Sequence, residues 1–167
     1  MEIMLRLPRR FADEIVARAR DHAPDECWGM LAGTPDGRVR AVYHLENGAP
    51  PEDRPFRYET EFKSQAAAER EIVERDWEVL GIYHSHTHTQ PYPSPTDIDR
   101  ANPLYGDIVY LIVSLRYPGQ PFVHRGMSEE ERRQTREFAQ TKPRRAELRG
   151  WHIRDGRAEP AEVRITR

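Results

Sequence analysis

Two short apolar runs constrain the fold more than any other feature of this sequence. Residues 79–83 form a compact apolar run, and residues 107–115 form the most apolar segment of the chain. Such runs are typical of strands that are buried on both faces of a sheet. We therefore predict a central sheet covered by helices, in which the first run ends at His84.

The remaining elements follow from apolar periodicity and from turn residues. We predict helices at residues 8–22, 61–77, 96–101 and 128–140. We predict strands at residues 27–32, 38–45, 79–83 and 107–115, a short extended piece at residues 56–58, a basic loop at residues 142–145, and a C-terminal hairpin formed by residues 149–153 and 161–165. Four apolar residues of the second helix are expected to face inward: Phe62, Ala66, Ile72 and Val73. The elements alternate without a strict βαβ rhythm, which predicts an α/β or α+β fold with a mixed β-sheet flanked by helices.

Length and charge predict a single domain over residues 1–167 without a nucleic-acid partner. A chain of 167 residues is long enough to form one hydrophobic core and is short for two domains. The charged fraction of 32% contains both signs, and the formal net charge is −2. Proteins that bind nucleic acid through its phosphates usually carry a basic excess, and this chain has none.

Cysteine usage and hydropathy predict a cytoplasmic protein. Cys27 is the only cysteine, which excludes an intrachain disulfide and a Cys-rich zinc site and fits a reducing compartment. The sequence shows no apolar stretch of signal-peptide length and nothing near the roughly 20 apolar residues that span a bilayer. We expect no membrane partner. Cys27 could be imagined as a nucleophile, but beside an apolar strand a buried, inert thiol is the more ordinary interpretation.

The chemically informative stretch begins where the first apolar run ends. His84 and His86 are two residues apart, and side chains at this spacing on a strand point to the same face, about 6–7 Å apart. Two imidazoles so placed can bind one zinc ion, and a nearby carboxylate can supply a third ligand. Asp97 is the candidate for this ligand, because the intervening loop can fold back over the strand end. Three protein ligands leave one position open, which is typical of a catalytic zinc site.

Hydrolysis of a peptide also requires a carboxylate that takes a proton from water and passes it to the leaving amine. Glu26 lies just before an apolar predicted strand, where an acidic residue has no packing role. We therefore take Glu26 as a candidate for the general base.

Each of these residues also has an ordinary structural interpretation. A His-x-His pair on a strand is more often structural than metal-binding. Ser94, Pro95 and Asp97 fit an N-terminal helix cap, which does not prevent Asp97 from binding a metal as well. His88 is a rival ligand, because a strand that continued by two residues would place it on the same face as the other two histidines.

The same residues carry a resemblance to a known family. The pattern His84-Ser85-His86, seven residues, Ser94, two residues, Asp97 matches the motif of the JAMM (MPN+) zinc metalloproteases at every fixed position. The upstream segment ECWGMLAG at residues 26–33 resembles that family's Glu-x-x-Gly-apolar-Leu-x-Gly segment and selects Glu26 as its glutamate.

The resemblance covers roughly residues 1–117 and implies the cytidine-deaminase-like α/β fold of the JAMM/MPN domains. It implies three zinc ligands, a general base, and a hydroxyl that donates a hydrogen bond to the developing oxyanion. The implied zinc ligands are His84, His86 and Asp97. The implied general base is Glu26, and the implied hydroxyl is that of Ser94.

Within this family, the sequence around the histidines is similar to small bacterial members that process ubiquitin-like sulfur-carrier proteins. This implies a peptidase or isopeptidase that cuts after the C-terminal Gly-Gly of such a carrier. Two departures are visible: Trp28 stands where these members often have cysteine, and the polar segment at residues 128–145 resembles an insertion.

Two other functions stay open on the sequence alone. The first is a non-catalytic MPN-type binding scaffold, although such modules characteristically lose metal ligands. The second is a metallohydrolase that acts on small amides. For a Gly-Gly tail that binds by strand addition, the loops at residues 47–55 and 87–93 are candidates for the walls of the groove. The sequence defines neither the carrier nor the oligomeric state.

Overall fold

The computed structural model describes residues 2–141 and 146–167 of the chain. In these residues the strands are β1 (Leu5–Pro8), β2 (Trp28–Gly33), β3 (Val39–Leu45), β4 (Glu78–His86), β5 (Val109–Ser114), β6 (Glu147–Arg154), β7 (Arg157–Ala161) and β8 (Val163–Thr166). The helices are α1 (Arg9–His22), α2 (Phe62–Glu74), α3 (Pro95–Arg100) and α4 (Glu129–Thr141), with a 3₁₀ turn at Pro103–Tyr105.

The main sheet is mixed, as predicted. Its six strands lie in the order β3-β2-β4-β5-β6-β7, and β1 and β8 form a separate two-stranded sheet. The two apolar runs, β4 and β5, are the central parallel pair. Their other neighbours pair antiparallel with them, β2 on one side and β6 on the other.

Helices cover both faces of the central strands. On one face, Ile15 of α1 and Ala139 of α4 belong to the same apolar cluster as Leu111 of β5. On the opposite face, Ile72 of α2 clusters with Ile112 of β5. Leu111 and Ile112 are completely buried, and burying each such side chain contributes about 1.5–3 kcal/mol. The prediction of a buried sheet flanked by helices is therefore confirmed.

The predicted inward face of the second helix was partly wrong. Helix α2 ends at Glu74 rather than near residue 77, and Phe62 and Val73 are 83% and 76% exposed. The buried residues of α2 are Ala68 and Ile72, one helical turn apart. A narrow apolar face formed by Ala68 and Ile72 is enough to pack the helix on the sheet. The apolar residues on its other faces therefore stay exposed to solvent.

The C-terminal hairpin is present, but its second arm differs from the prediction. The turn at Asp155 and Gly156 joins β6 to β7, whereas Val163–Thr166 leaves the hairpin and pairs in parallel with β1. The Val163 side chain packs over Gly150 of β6 and against the apolar cluster under α1. Burial of Val163 therefore accounts for the departure of this segment from the hairpin.

The remaining expectations concern loops and domain organisation. Phe56 lies in a turn, so the extended piece predicted at residues 56–58 does not begin at Phe56. The basic loop predicted at residues 142–145 lies outside the described residues. The single domain over residues 1–167 and the insertion at residues 128–145 stay predictions, although α4 packs on α1 and its Arg132 reaches Asp25 at 2.5 Å. No helix in the described part of the chain is long and apolar enough to cross a bilayer.

Gly29 of β2 lies where three strands approach the Tyr83 ring. A Cβ at this position would stand 2.2 Å from the Tyr43 carbonyl oxygen and 2.4 Å from Tyr83 Cε1. The Tyr83 ring cannot move away easily, because its hydroxyl contacts Arg18 Nη1 at 2.8 Å and His44 Nδ1 at 2.5 Å. The chain therefore needs glycine at position 29 for steric reasons.

We expect Gly29→Ala to lower the free energy of unfolding by about 2 kcal/mol, because the added methyl group overpacks the strand contact. Urea denaturation followed by circular dichroism measures this change. Gly119→Ala is the control, since its Cβ would meet nothing within 4 Å and only its φ of +79° is unfavourable; we expect about 1 kcal/mol there. Equal losses for the two variants would contradict the packing argument.

Candidate active site

Strand β4 delivers two histidines to one face of the sheet. His84 pairs with Ile112 and His86 with Ser114 across the parallel β4–β5 junction. Because alternate residues share a face, both imidazoles lie on the α2 side, while Ser85 points to the side of α1. The strand runs to His86, three residues beyond the predicted end, so both histidines lie in regular extended backbone.

Helix α3 brings a carboxylate to the same place. Ser94 is its N-cap, and its hydroxyl oxygen accepts a hydrogen bond from the Asp97 N–H at 3.1 Å. In return, Asp97 Oδ2 accepts from the Ser94 N–H at 2.8 Å. This reciprocal pair is a capping box. The same Oδ2 lies 3.2 Å from the Nε2 atoms of His84 and His86, so Asp97 caps the helix and also faces both rings.

The two histidine rings turn their Nε2 atoms toward each other. Their Nε2 atoms are 3.0 Å apart, and both side chains are almost fully buried. His86 Nδ1 lies 2.8 Å from the Gln90 carbonyl oxygen. Since a carbonyl only accepts, His86 Nδ1 carries the hydrogen, and the Nε2 of the neutral ring has a free lone pair. Two imidazole nitrogens and a carboxylate oxygen thus converge at one point, which is the donor set that zinc takes.

Glu26 lies beside this cluster, just before β2. It is 5% exposed, and its backbone is held by hydrogen bonds from its N–H to the Arg54 carbonyl and from Asn47 Nδ2 to its own carbonyl. One carboxylate oxygen of Glu26 and one ring nitrogen each of His84 and His86 lie within 4.8 Å of one another. The Glu26 Oε1 atom is buried and has no hydrogen-bond partner among the described residues, so it is free to receive a proton.

The two carboxyl groups near the histidines differ in proton affinity. Burial, followed by the negative charge of Asp97, raises the pKa of Glu26 well above its ordinary value. Burial also opposes ionisation of Asp97, but the two histidine rings and the Ser94 N–H outweigh it and hold the pKa of Asp97 well below its usual range. Burial lowers the pKa of His84, although Asp97 acts in the opposite direction. Asp97 is therefore the anion of the cluster, and Glu26 is the group with affinity for a proton.

The rival ligand and the rival nucleophile lie in other environments. The ring edge of His88 packs against Phe56 with centroids 5.6 Å apart, and His88 Nδ1 contacts the Thr87 hydroxyl at 3.1 Å. Within the described residues, the group of Glu26, His84 and His86, whose potential ligand atoms lie close together, does not include His88. Cys27 is buried, and burial raises the pKa of its thiol, as expected for an inert packing residue.

Sequence reasoning missed the contact of Tyr58 with the site. The ring of Tyr58 lies over His84 with centroids 4.8 Å apart, and Trp28 stacks on Tyr58 at 5.3 Å. Trp28 is further fixed by its indole N–H, which donates to the Glu46 carbonyl at 2.7 Å. The only available signal was the aromatic character of these residues, and no spacing rule connects Tyr58 to the histidines.

Comparison with known proteins supports the resemblance inferred from these residues. A model of the family described as prokaryotic homologues of the JAB domain matches residues 8–137. The curated CysO-cysteine peptidases of Mycobacterium tuberculosis and Mycobacterium bovis are 38% identical to this chain over 104 residues, which cover 62% of this chain and 68% of theirs.

Solved structures share the fold. The solution structure of a Desulfitobacterium hafniense protein aligns over 98% of this chain and 93% of its own, with a TM-score of 0.70 and 24% identity. A Salinibacter ruber protein aligns over 98% and 92% of the two chains, with a TM-score of 0.58 and 25% identity. Because the family model matches residues 8–137, the chain belongs to the family of prokaryotic homologues of the JAB domain, and its similarity to the curated peptidases makes it a peptidase of that family.

Proposed function

We propose that this peptidase is a zinc enzyme that hydrolyses the amide bond after the C-terminal Gly-Gly of a ubiquitin-like sulfur-carrier protein. The observation that carries the proposal is the convergence of two imidazole Nε2 atoms and a carboxylate oxygen within 3.2 Å of one another, beside a buried glutamate with an unpaired oxygen. The similarity to enzymes named CysO-cysteine peptidase supports a sulfur-carrier substrate.

We assign the metal to His84, His86 and Asp97. Glu26 is close enough to be considered as a ligand instead, but Asp97 is the carboxyl group whose pKa is held low, whereas the raised pKa of Glu26 suits it to proton transfer. The hydrogen bond from His86 Nδ1 to Gln90 fixes the tautomer that a metal ligand requires. A bound zinc ion supplies Lewis acidity, which lowers the pKa of water and polarises a substrate carbonyl.

We expect one equivalent of zinc in the wild-type protein and in His88→Ala, and zinc near background in His86→Ala. The physical reason is that His86 contributes one of three converging ligand atoms, whereas His88 faces Phe56. Elemental analysis of protein prepared with excess zinc and then gel-filtered measures the content. Retention of zinc by His86→Ala, or its loss in His88→Ala, would show that the ligand assignment is wrong.

In the proposed reaction, Glu26 moves the proton. Its free Oε1 takes a proton from the attacking water as the oxygen bonds to the carbonyl carbon. The same carboxyl group then gives this proton to the nitrogen as the carbon–nitrogen bond breaks. The products are the carrier with its Gly-Gly carboxylate restored and a free amine, so water is the only co-reactant.

Ser94 and Tyr58 complete the proposed machinery. The Ser94 oxygen already accepts the Asp97 N–H, which leaves its hydroxyl hydrogen free to stabilise the negative charge that develops on the carbonyl oxygen. Tyr58 packs on His84, so it restricts ring rotation and excludes water from that side.

We expect Glu26→Gln to lower kcat/KM by 10²–10⁴, the range typical of a missing general base, while zinc content stays unchanged. The substrate is a sulfur-carrier protein with an amino acid attached after its Gly-Gly, and mass spectrometry follows its release. Glu46→Gln is the matched control, since Glu46 contributes its backbone carbonyl to the fold through Trp28. Wild-type activity in Glu26→Gln would assign the base elsewhere.

The proton affinity of Glu26 also predicts a pH dependence in metal-free protein. The folded state holds the proton above the ordinary pKa of 4.5, whereas the unfolded state releases it near that value. As pH rises above 4.5, the free energy of unfolding of the wild type should therefore fall relative to Glu26→Gln, by up to about 1.4 kcal/mol per pH unit. Urea denaturation of both proteins at pH 5 and pH 7, with chelator present, measures the difference. A difference independent of pH would contradict the raised pKa.

The alternatives from the sequence are tested by the same measurements. A non-catalytic scaffold predicts no cleavage by zinc-loaded protein, and a small-amide hydrolase predicts cleavage of small amides that have no Gly-Gly segment. The retained glutamate, histidines and aspartate favour catalysis over a scaffold. Phe56, which directly follows the loop at residues 47–55, packs on His88 of the loop at residues 87–93, which supports both loops as walls of the groove. A cytoplasmic location stays a prediction.

A further inference from the structure

A cleft of about 970 Å³ opens next to the candidate metal site. Its floor is one face of β6, represented by Arg149 and Trp151, and its walls are the loop around Gln90 and the loop that follows β5. The Trp151 indole N–H donates to the Pro91 carbonyl at 2.9 Å and holds the first wall in place. This volume is at the upper end of the range for sites that take small molecules or short peptides.

The cleft is continuous with the site through two residues. Ser114 lines it and is the register partner of His86 across the β4–β5 junction, at the strand spacing of about 4.8 Å. Gln90 also lines it, and the Gln90 carbonyl is the acceptor for His86 Nδ1. A substrate that extends from the metal ligands across β5 therefore enters this cleft.

The cleft contains an unpaired cation. Arg116 follows Ser114 by two residues, and its backbone N–H donates to the Ser114 hydroxyl at 3.2 Å. Its side chain is exposed in the cleft, and no carboxylate of the described residues forms an ion pair with it. The other arginine of the cleft, Arg149, lies 3.5 Å from Glu147. Arg116 is thus the guanidinium available to a ligand.

We propose that this cleft binds the leaving group of the reaction and that Arg116 binds a carboxylate on the residue that is released. The inference rests on the proposed function and specifies it: the released residue carries a carboxylate next to the scissile bond, as a single amino acid does. Arginine binds a carboxylate through two parallel hydrogen bonds.

The aromatic part of the cleft agrees with a short leaving group. Tyr92 packs edge-on against Trp151 with centroids 4.7 Å apart, which gives an apolar surface between the metal ligands and the cleft rim. The carboxylate of the released residue then lies beside Arg116, and its side chain lies on the rings of Tyr92 and Trp151. A lysine-linked protein would instead place an uncharged alkyl chain beside Arg116.

Matched peptides test the proposal. The probes are synthetic peptides that end in Gly-Gly-Ala, one as the free acid and one as the C-terminal amide, so that they differ only in the carboxylate. We expect the zinc-loaded wild type to cleave the acid with a kcat/KM about tenfold above that of the amide. In Arg116→Gln the ratio should fall to about one, whereas Arg164→Gln on β8 should keep the wild-type ratio. Equal rates for acid and amide in the wild type would overturn the inference.

A binding measurement separates this inference from the proposed function. In the Glu26→Gln background, calorimetry with the same peptides should give about tenfold tighter binding of the acid, and Arg116→Gln should abolish the difference. If zinc-loaded wild type cleaves neither these peptides nor the carrier conjugate, the proposed function fails, and the binding comparison still decides the role of Arg116. Equal affinities, or no binding of either peptide, would overturn the subsite.

Discussion

Strand β4 is hydrogen-bonded on both edges, and the geometry of the site depends on this. Its neighbour β2 places Trp28 opposite His84, and its neighbour β5 places Ser114 beside His86. A strand paired on both sides cannot shift its register without turning its side chains to the other face. The sheet therefore fixes the positions of the two imidazoles in the candidate site before any ligand binds.

Burial then divides the roles of the acidic residues. Glu26 and Asp97 share one desolvated region, where ionising both carboxyl groups costs more free energy than ionising one. Contacts with two histidine rings and a helix N-terminus stabilise the charge of Asp97, whereas Glu26 has one oxygen without a partner. The same environment thus produces one anion suited to a cation and one carboxyl group suited to proton transfer, with no difference in intrinsic chemistry between them.

Much of this arrangement could be predicted from the sequence, and the parts that could not depended on tertiary contacts. The central strands, the capping box at Ser94 and the family followed from local patterns with strong physical causes. The exposure of Phe62 and the departure of Val163 from the hairpin did not, because each depends on which surface a distant element leaves open. The contact of Tyr58 with His84 could not be predicted from the sequence for the same reason. The roles of the site residues remain predictions, although the structure brings these side chains together.

The double use of the Asp97 carboxylate has a consequence for regulation of occupancy. One oxygen of Asp97 both caps α3 and faces the two rings, so binding of the proposed cation to Asp97 would be thermodynamically linked to folding of that helical turn. A change that loosens the turn would then weaken cation binding, and the cation would stabilise the turn by the same free energy. Under the proposed ligand assignment, the order of the segment between β4 and α3 would report whether the cation is bound.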